Sequence, residues 1–239
     1  MKKTLIIIPA RYKSSRFPGK PLKKILGREL ILRVADRCKS IINKKDLIIA
    51  TDNNQISKVV KKDNFNVIMT STKCLTGTDR VAEVAKKINS KIYVNVQGDE
   101  PLVNSRDIKK IISKKIEFPN HVICGFSKIR KIENPLSKNI PKVVMNKNNE
   151  LVYISRAPVP SSKKKRKTGF NKQVCIYAFN KKELLKFSSM KKKSNLEKLE
   201  DIEILRFFDL GIKVKMVKLN SKTLAVDVKS DIRKVEKFL

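Results

Sequence analysis

Tryptophan is absent from these 239 residues, histidine occurs once, at His121, and acidic side chains number 22 against 56 lysines and arginines. Each shortage excludes something. With no tryptophan and 6% aromatics, the stacking platforms on which single-stranded nucleic acid lies are poorly supplied. The formal charge of +34 by itself suggests nucleic acid or an anionic membrane surface, but the lysines are scattered through every predicted helix. That pattern reads as a solvated basic surface. One histidine and four widely spaced cysteines, Cys38, Cys74, Cys124 and Cys175, form no zinc-type ligand pairs and fit a reduced, cytoplasmic setting. No apolar run approaches the ~18 residues of a membrane span, and the basic start holds too short an apolar run before Pro9 for a signal peptide. Membrane insertion is not expected. Glycine is sparse too: none of the seven lies two positions from another, which rules out Gly-x-Gly-x-x-Gly, and Gly-x-x-x-x-Gly-Lys-Ser/Thr is not found.

What is present is concentrated near the start. Residues 5–8, Leu-Ile-Ile-Ile, are apolar on both faces, as in a buried parallel strand, and Pro9 is expected to end it because proline cannot donate to a ladder. The loop that follows, at the carboxyl end of a central strand, holds Arg11, Arg16 and Lys20 among Pro18, Gly19 and Pro21, which restrict or sharply turn the backbone. Loops in that position bind ligands in open α/β sheets. Arginine forks and a lysine point charge suit a polyphosphate.

The rest alternates. Helical spacing over 30–42 precedes a strand over 46–50, a capped helix to about 62 and a strand over 66–69. A mostly parallel sheet with helices on both faces is predicted, in one domain with a small protruding subregion. Thr76-Gly77-Thr78-Asp79-Arg80 opens a helix over 79–88, whose free N–H groups either receive an anion or base edge or are simply capped. The strand over 91–96 runs into Gln97-Gly98-Asp99-Glu100-Pro101. Asp99 there is either part of a turn or a ligand for Mg²⁺, which takes few protein oxygens. A helix over 105–116, a strand over 122–127, a hairpin over 141–154, strands over 173–179 and 214–219 and a helix over 230–238 complete the pattern. The run 163–167, Lys-Lys-Lys-Arg-Lys, is a targeting or nucleic-acid patch or, more simply between Pro160 and Gly169, a solvated loop.

Pro9-Ala10-Arg11, Ser15-Arg16, Pro18-Gly19-Lys20-Pro21-Leu22 and Val94-Asn95-Val96-Gln97-Gly98-Asp99-Glu100-Pro101 together resemble the sugar-acid cytidylyltransferases, most closely those acting on 3-deoxy-manno-octulosonate (Kdo). The resemblance spans the chain and implies a Rossmann-like nucleotidyltransferase fold with a small β-rich subregion for sugar binding and dimerisation. It divides the single domain into a nucleotide-binding part over 1–130, an acceptor and dimerisation part over 131–220, and a return to the core over 221–239. The activity it implies is transfer of CMP from CTP to the anomeric hydroxyl of Kdo, for lipopolysaccharide synthesis, by a homodimer. Ala10, Arg11, Arg16, Lys20, Thr78, Arg80 and Gln97 would then contact the nucleotide, with Arg11, Arg16 and Lys20 catalytic. Asp99 and Asp227 would hold Mg²⁺, and Arg156, Gln173, Tyr177 and Glu203 would meet the sugar acid. Two positions depart from the family: Gln173 stands where histidine is usual, and Ile204 where glutamine is more common. Both fall on the acceptor side, which leaves a different or modified ulosonic acid as an alternative. A basic nucleic-acid-binding protein on a transferase-like fold is the alternative of another class.

Overall fold

The computed structural model describes residues 2–14, 16–130, 132–161, 169–221 and 223–239, so Ser15 and the basic run 163–167 lie outside the described residues. In chain order the elements are β1 (Lys2–Ala10), β2 (Lys24–Ile25), β3 (Arg28–Glu29), α1 (Leu30–Lys39), β4 (Leu47–Thr51), α2 (Asn54–Lys62), β5 (Asn66–Met69) and α3 (Gly77–Lys87). Then come β6 (Ser90–Val96), α4 (Ser105–Glu117), β7 (Val122–Lys128), β8 (Lys142–Met145), β9 (Leu151–Ser155) and β10 (Asn171–Phe179). The chain finishes with α5 (Lys181–Ser189), α6 (Asn195–Glu200), α7 (Ile204–Asp209), β11 (Val214–Lys218) and α8 (Ser230–Glu236).

The main sheet runs β11-β7-β10-β6-β1-β4-β5, with β8 and β9 branching from β10. Pairings of β1 with β4 and β6, of β4 with β5 and of β7 with β11 are parallel; β10 is antiparallel to both its neighbours. This is the mixed α/β, mostly parallel architecture expected. Alternation along β1 explains its two-sided burial. Leu5 and Ile7 join Val81, Phe187 and Phe207 in one core, while Ile6 and Ile8 join Ile31, Ile56 and Ile108 in the other. All four side chains of 5–8 are fully buried, each worth about 1.5–3 kcal/mol relative to exposure.

Pro9 does not end the strand. The ladder to β6 stops at Ile7, so the last residues of β1 pair only with β4, and a strand tolerates proline where one side is bare. The chain between 180 and 210 also holds three helices that periodicity did not predict. α6 and α7 have 6 residues each, less than two turns, and α5 turns only Glu183, Leu184 and Phe187 inward. Among the described residues no helix is long and apolar enough to cross a membrane.

Candidate active site

The basic loop after β1 is held by its own backbone. Gly19 has φ 67°, a left-handed conformation that favours glycine, and donates to the Tyr12 carbonyl at 3.0 Å before the tight turn over Lys20–Leu22. Phe17 is anchored in a small third core with Ile25, Leu30, Val226 and Val235. This packing draws the C-terminal segment alongside the loop. The Val226 N–H then donates to the Asp99 carbonyl at 2.9 Å, so Asp227 arrives beside Asp99.

Between these two carboxylates lies one ammonium. Lys20 Nζ is 2.7 Å from Asp99 Oδ2 and 3.8 Å from Asp227 Oδ1, and Arg16 donates to Asp227 at 3.0 Å. Arg11 is exposed at the end of β1, its charge acting on Asp201, and Ala10 is buried beneath it. Glu100 is buried next to this cluster: burial, helped by the charges of Asp99 and Asp227, pushes its carboxyl up to about 7, and its Oε2 has no partner among the described residues. No group of three or more His, Cys, Asp or Glu among the described residues could by itself hold a metal ion.

The start of α3 differs from an open anion site. Thr76 caps it, its Oγ1 accepting the Asp79 N–H while the Asp79 carboxylate accepts the Thr76 N–H. The Thr78 N–H donates to Glu203 Oε2 at 2.9 Å, and the Thr78 side chain is buried. A side-chain carboxylate from the start of α7 thus already meets that terminus. Arg80 is buried as well, with its guanidinium on Thr70 Oγ1 (2.7 Å), the Ser71 carbonyl (3.1 Å) and Asp52 (2.6 Å). Its charge is satisfied inside the protein.

On β10, Gln173 and Tyr177 are both buried, and Gln173 Nε2 donates to the Tyr177 hydroxyl at 3.1 Å. They stand where β10 bulges: Val174 pairs with Gly125 but Tyr177 with Cys124. Glu203 Oε1 accepts from Gln97 Nε2 at 2.9 Å. Burial pushes the Glu203 carboxyl above its usual range while donors from Thr78 and Thr76 pull it back. Ile204 is fully buried in the core with Val81 and Phe207, so its departure from the family pattern is met by packing. Arg156 donates to the carbonyls of Glu200 (2.5 Å), Lys138 (2.7 Å) and Asp201 (3.0 Å) and stays partly exposed.

Two residues that sequence reasoning left without a role tie these parts together. Arg206, fully buried, donates to Glu197 at 2.6 and 2.7 Å and to Asp79 at 2.8 Å, which pins α7 to the first turn of α3. Glu200 accepts from the Arg156 N–H and the Ser155 hydroxyl, fixing the end of β9 to α6. An arginine in an otherwise apolar stretch, Ile204-Leu205-Arg206-Phe207, was the one available signal for the first.

Known proteins resemble this chain over nearly its whole length. Residues 5–218 match the family model described as cytidylyltransferase. The 3-deoxy-manno-octulosonate cytidylyltransferase of Escherichia coli is 31% identical over 239 residues, covering 100% of this chain and 97% of that protein. The enzyme of the same name from Syntrophotalea carbinolica is 36% identical over 244 residues, covering 98% and 97%. A solved structure of CMP:2-keto-3-deoxy-manno-octonic acid synthetase complexed with CTP superposes with a TM-score of 0.90 at 33% identity, covering 99% of this chain and 98% of that one.

Proposed function

Because this chain belongs to the cytidylyltransferase family, we propose that it joins CMP from CTP to the anomeric hydroxyl of Kdo, releasing pyrophosphate, in lipopolysaccharide synthesis. The observation that carries the reading is the ammonium of Lys20 between Asp99 and Asp227 at the mouth of a stiff basic loop. In the reaction the anomeric oxygen bonds to the α-phosphorus, the bond to the bridging oxygen of pyrophosphate breaks, and the hydroxyl proton is released. For such a displacement the protein mainly positions reactants and offsets negative charge.

Arg11, Arg16 and Lys20 hold the triphosphate and stabilise charge developing on the leaving group. Asp99 and Asp227 fit Mg²⁺: they already converge on one cation, and two carboxylates suit an ion that completes its shell with phosphate and water. When bound, that ion would offset negative charge on the phosphates and lower the pKa of the attacking hydroxyl. Arg156, with part of its guanidinium open, is the partner for the sugar carboxylate, and Gln173 and Tyr177 lie beneath the acceptor. A homodimer and a reducing, cytoplasmic setting belong to the same reading, the latter supported by four free cysteines.

A modified ulosonic acid is the second reading, carried by Gln173 alone. Its neutral amide has fixed donors and acceptor where histidine could present a cation. Pyrophosphate release with CTP, Mg²⁺ and Kdo tests both. Turnover should be high with CTP and Kdo and fall with ATP or GTP. Preference for another ulosonic acid would move the acceptor, and no release with any sugar acid would overturn the activity.

A further inference from the structure

Gln97 is held on two sides. Its Nε2 donates to Glu203 Oε1 at 2.9 Å, and a Cβ placed on Gly77 would stand 3.3 Å from both Nε2 and Oε1, so the flat face of the amide lies on that glycine. A Cβ there would crowd the amide and Pro9. Gln97 Oε1 has no hydrogen-bond partner among the described residues and is not among the buried unpaired atoms. It therefore opens to the cleft. Glu203 is fixed in turn. Its other oxygen takes the Thr78 N–H, and Arg206, three residues on, grips Asp79 at 2.8 Å, so α7 engages the first turn of α3 at two points. Both hydrogen bonds, from the Thr78 N–H and from Gln97 Nε2, end on carboxylate oxygens, and a carboxylate only accepts. That decides which end of the Gln97 amide turns inward.

We propose that Glu203 is a positioning residue that holds the Gln97 amide with Nε2 turned away and Oε1 facing the ligand, so that the cleft presents a fixed hydrogen-bond acceptor to a hydroxyl of the sugar acid. The assignment to the sugar acid, and not to the nucleotide, follows from the neighbours. Tyr177 pairs across the sheet with Asn95, the Asn95 amide donates to Thr78 Oγ1 at 3.3 Å, and the Thr78 N–H donates to Glu203, so the Gln97–Glu203 pair stands beside the Gln173–Tyr177 pair. This rests on the reading of the site as a sugar-acid cytidylyltransferase. Gln97, expected from sequence to touch the nucleotide, moves to the acceptor side.

Glu203→Gln tests it. The new amide can still accept the Thr78 N–H through its oxygen, but its NH₂ then meets the Gln97 NH₂, donor against donor, and Gln97 must turn over. KM for Kdo should rise at least about tenfold, the scale expected when a well-made hydrogen bond gives way to a mismatched pair, while KM for CTP stays within about twofold. The exchanged pair Gln97→Glu with Glu203→Gln restores donor against acceptor and again offers an acceptor to the cleft. It should recover most of the loss. In parallel, the Gln97 side-chain amide resonances in ¹H–¹⁵N spectra, identified by their disappearance in Gln97→Glu, should be slow to exchange in the native protein and move on Glu203→Gln. An unchanged KM for Kdo, an equal rise for CTP, or a double variant no better than either single one overturns the proposal. If the native protein fails to use Kdo, the functional reading falls. The amide resonances then still decide the positioning: unmoved resonances refute it, and shifted ones uphold it.

Discussion

Replacing Arg206 by methionine is the sharpest perturbation that the interior invites. The guanidinium is fully buried, makes four N–H···O contacts to Glu197 and Asp79 between 2.6 and 3.4 Å, and lies 3.9 Å over the Phe187 ring. Two carboxylates face one cation, and Glu197 is itself fully buried. Methionine keeps the packing volume but leaves both carboxylates without their counter-charge. Removing one partner from a buried ion pair typically costs about 3–5 kcal/mol. For a chain of this size that corresponds to about 6–20 °C in Tm. Urea unfolding should show the loss as a lower midpoint with an unchanged slope, since the surface exposed on unfolding is the same. Arg206→Lys should fall between the two proteins, because a point charge cannot serve two carboxylates in a fork. A methionine variant within about 1 kcal/mol of the native protein would show that the network contributes no net stability, and with it the idea that α7 is locked onto α3 would fail.

Asp99→Asn should fold normally, since Lys20 keeps Asp227 nearby, yet lose at least ~100-fold in turnover through loss of a charged ligand to Mg²⁺; unchanged pyrophosphate release at saturating Mg²⁺ would remove Asp99 from the site. Asp63 gives a pH signature. Its hydrogen bond from Arg28 holds its carboxyl below the ordinary carboxylate range, so the stabilisation is present above the unfolded value of about 3.9 and is lost as pH falls through the native one. Asp63→Asn should therefore unfold at lower urea than the native protein at pH 7, with the gap closing below about pH 4, and a gap independent of pH would refute the assignment.

Strands buried on both faces, such as β1 and β4, were legible in the sequence because burial on two sides favours continuous apolar runs. Position in the sheet was not. Nothing in the residues 173–179 says that this strand enters between β6 and β7, or that it runs against them, because strand order depends on connections and not on local pattern. The helices over 181–209 were missed because short turns carry too few inward positions to make a period. At the site, the types and loops of Lys20, Asp99 and Asp227 pointed to charge chemistry, while the meeting of Arg16 and Asp227, 211 positions apart, depended on Phe17 and Val226 packing together. Conversely, Thr78 and Arg80 lie in a motif that looks open but is closed by Glu203, Thr70 and Asp52, partners contributed from elsewhere in the chain.

The insertion of β10 also governs how this chain can be made. The neighbours of β7 are β10 and β11, both synthesised after it, so a nascent chain that has reached residue 130 carries a strand with nothing to pair against and leaves one side of β6 bare. Unpaired edges of that kind are templates for association with other chains. The sheet closes only when residues 171–179 leave the ribosome and thread between two strands already made, a long-range step that slows folding. The strand that carries Gln173 and Tyr177 is therefore also the keystone of the main sheet. A gene cut after residue 130 would yield an open half-sheet, and the chain is expected to depend on chaperones chiefly in the interval between the synthesis of β7 and of β10.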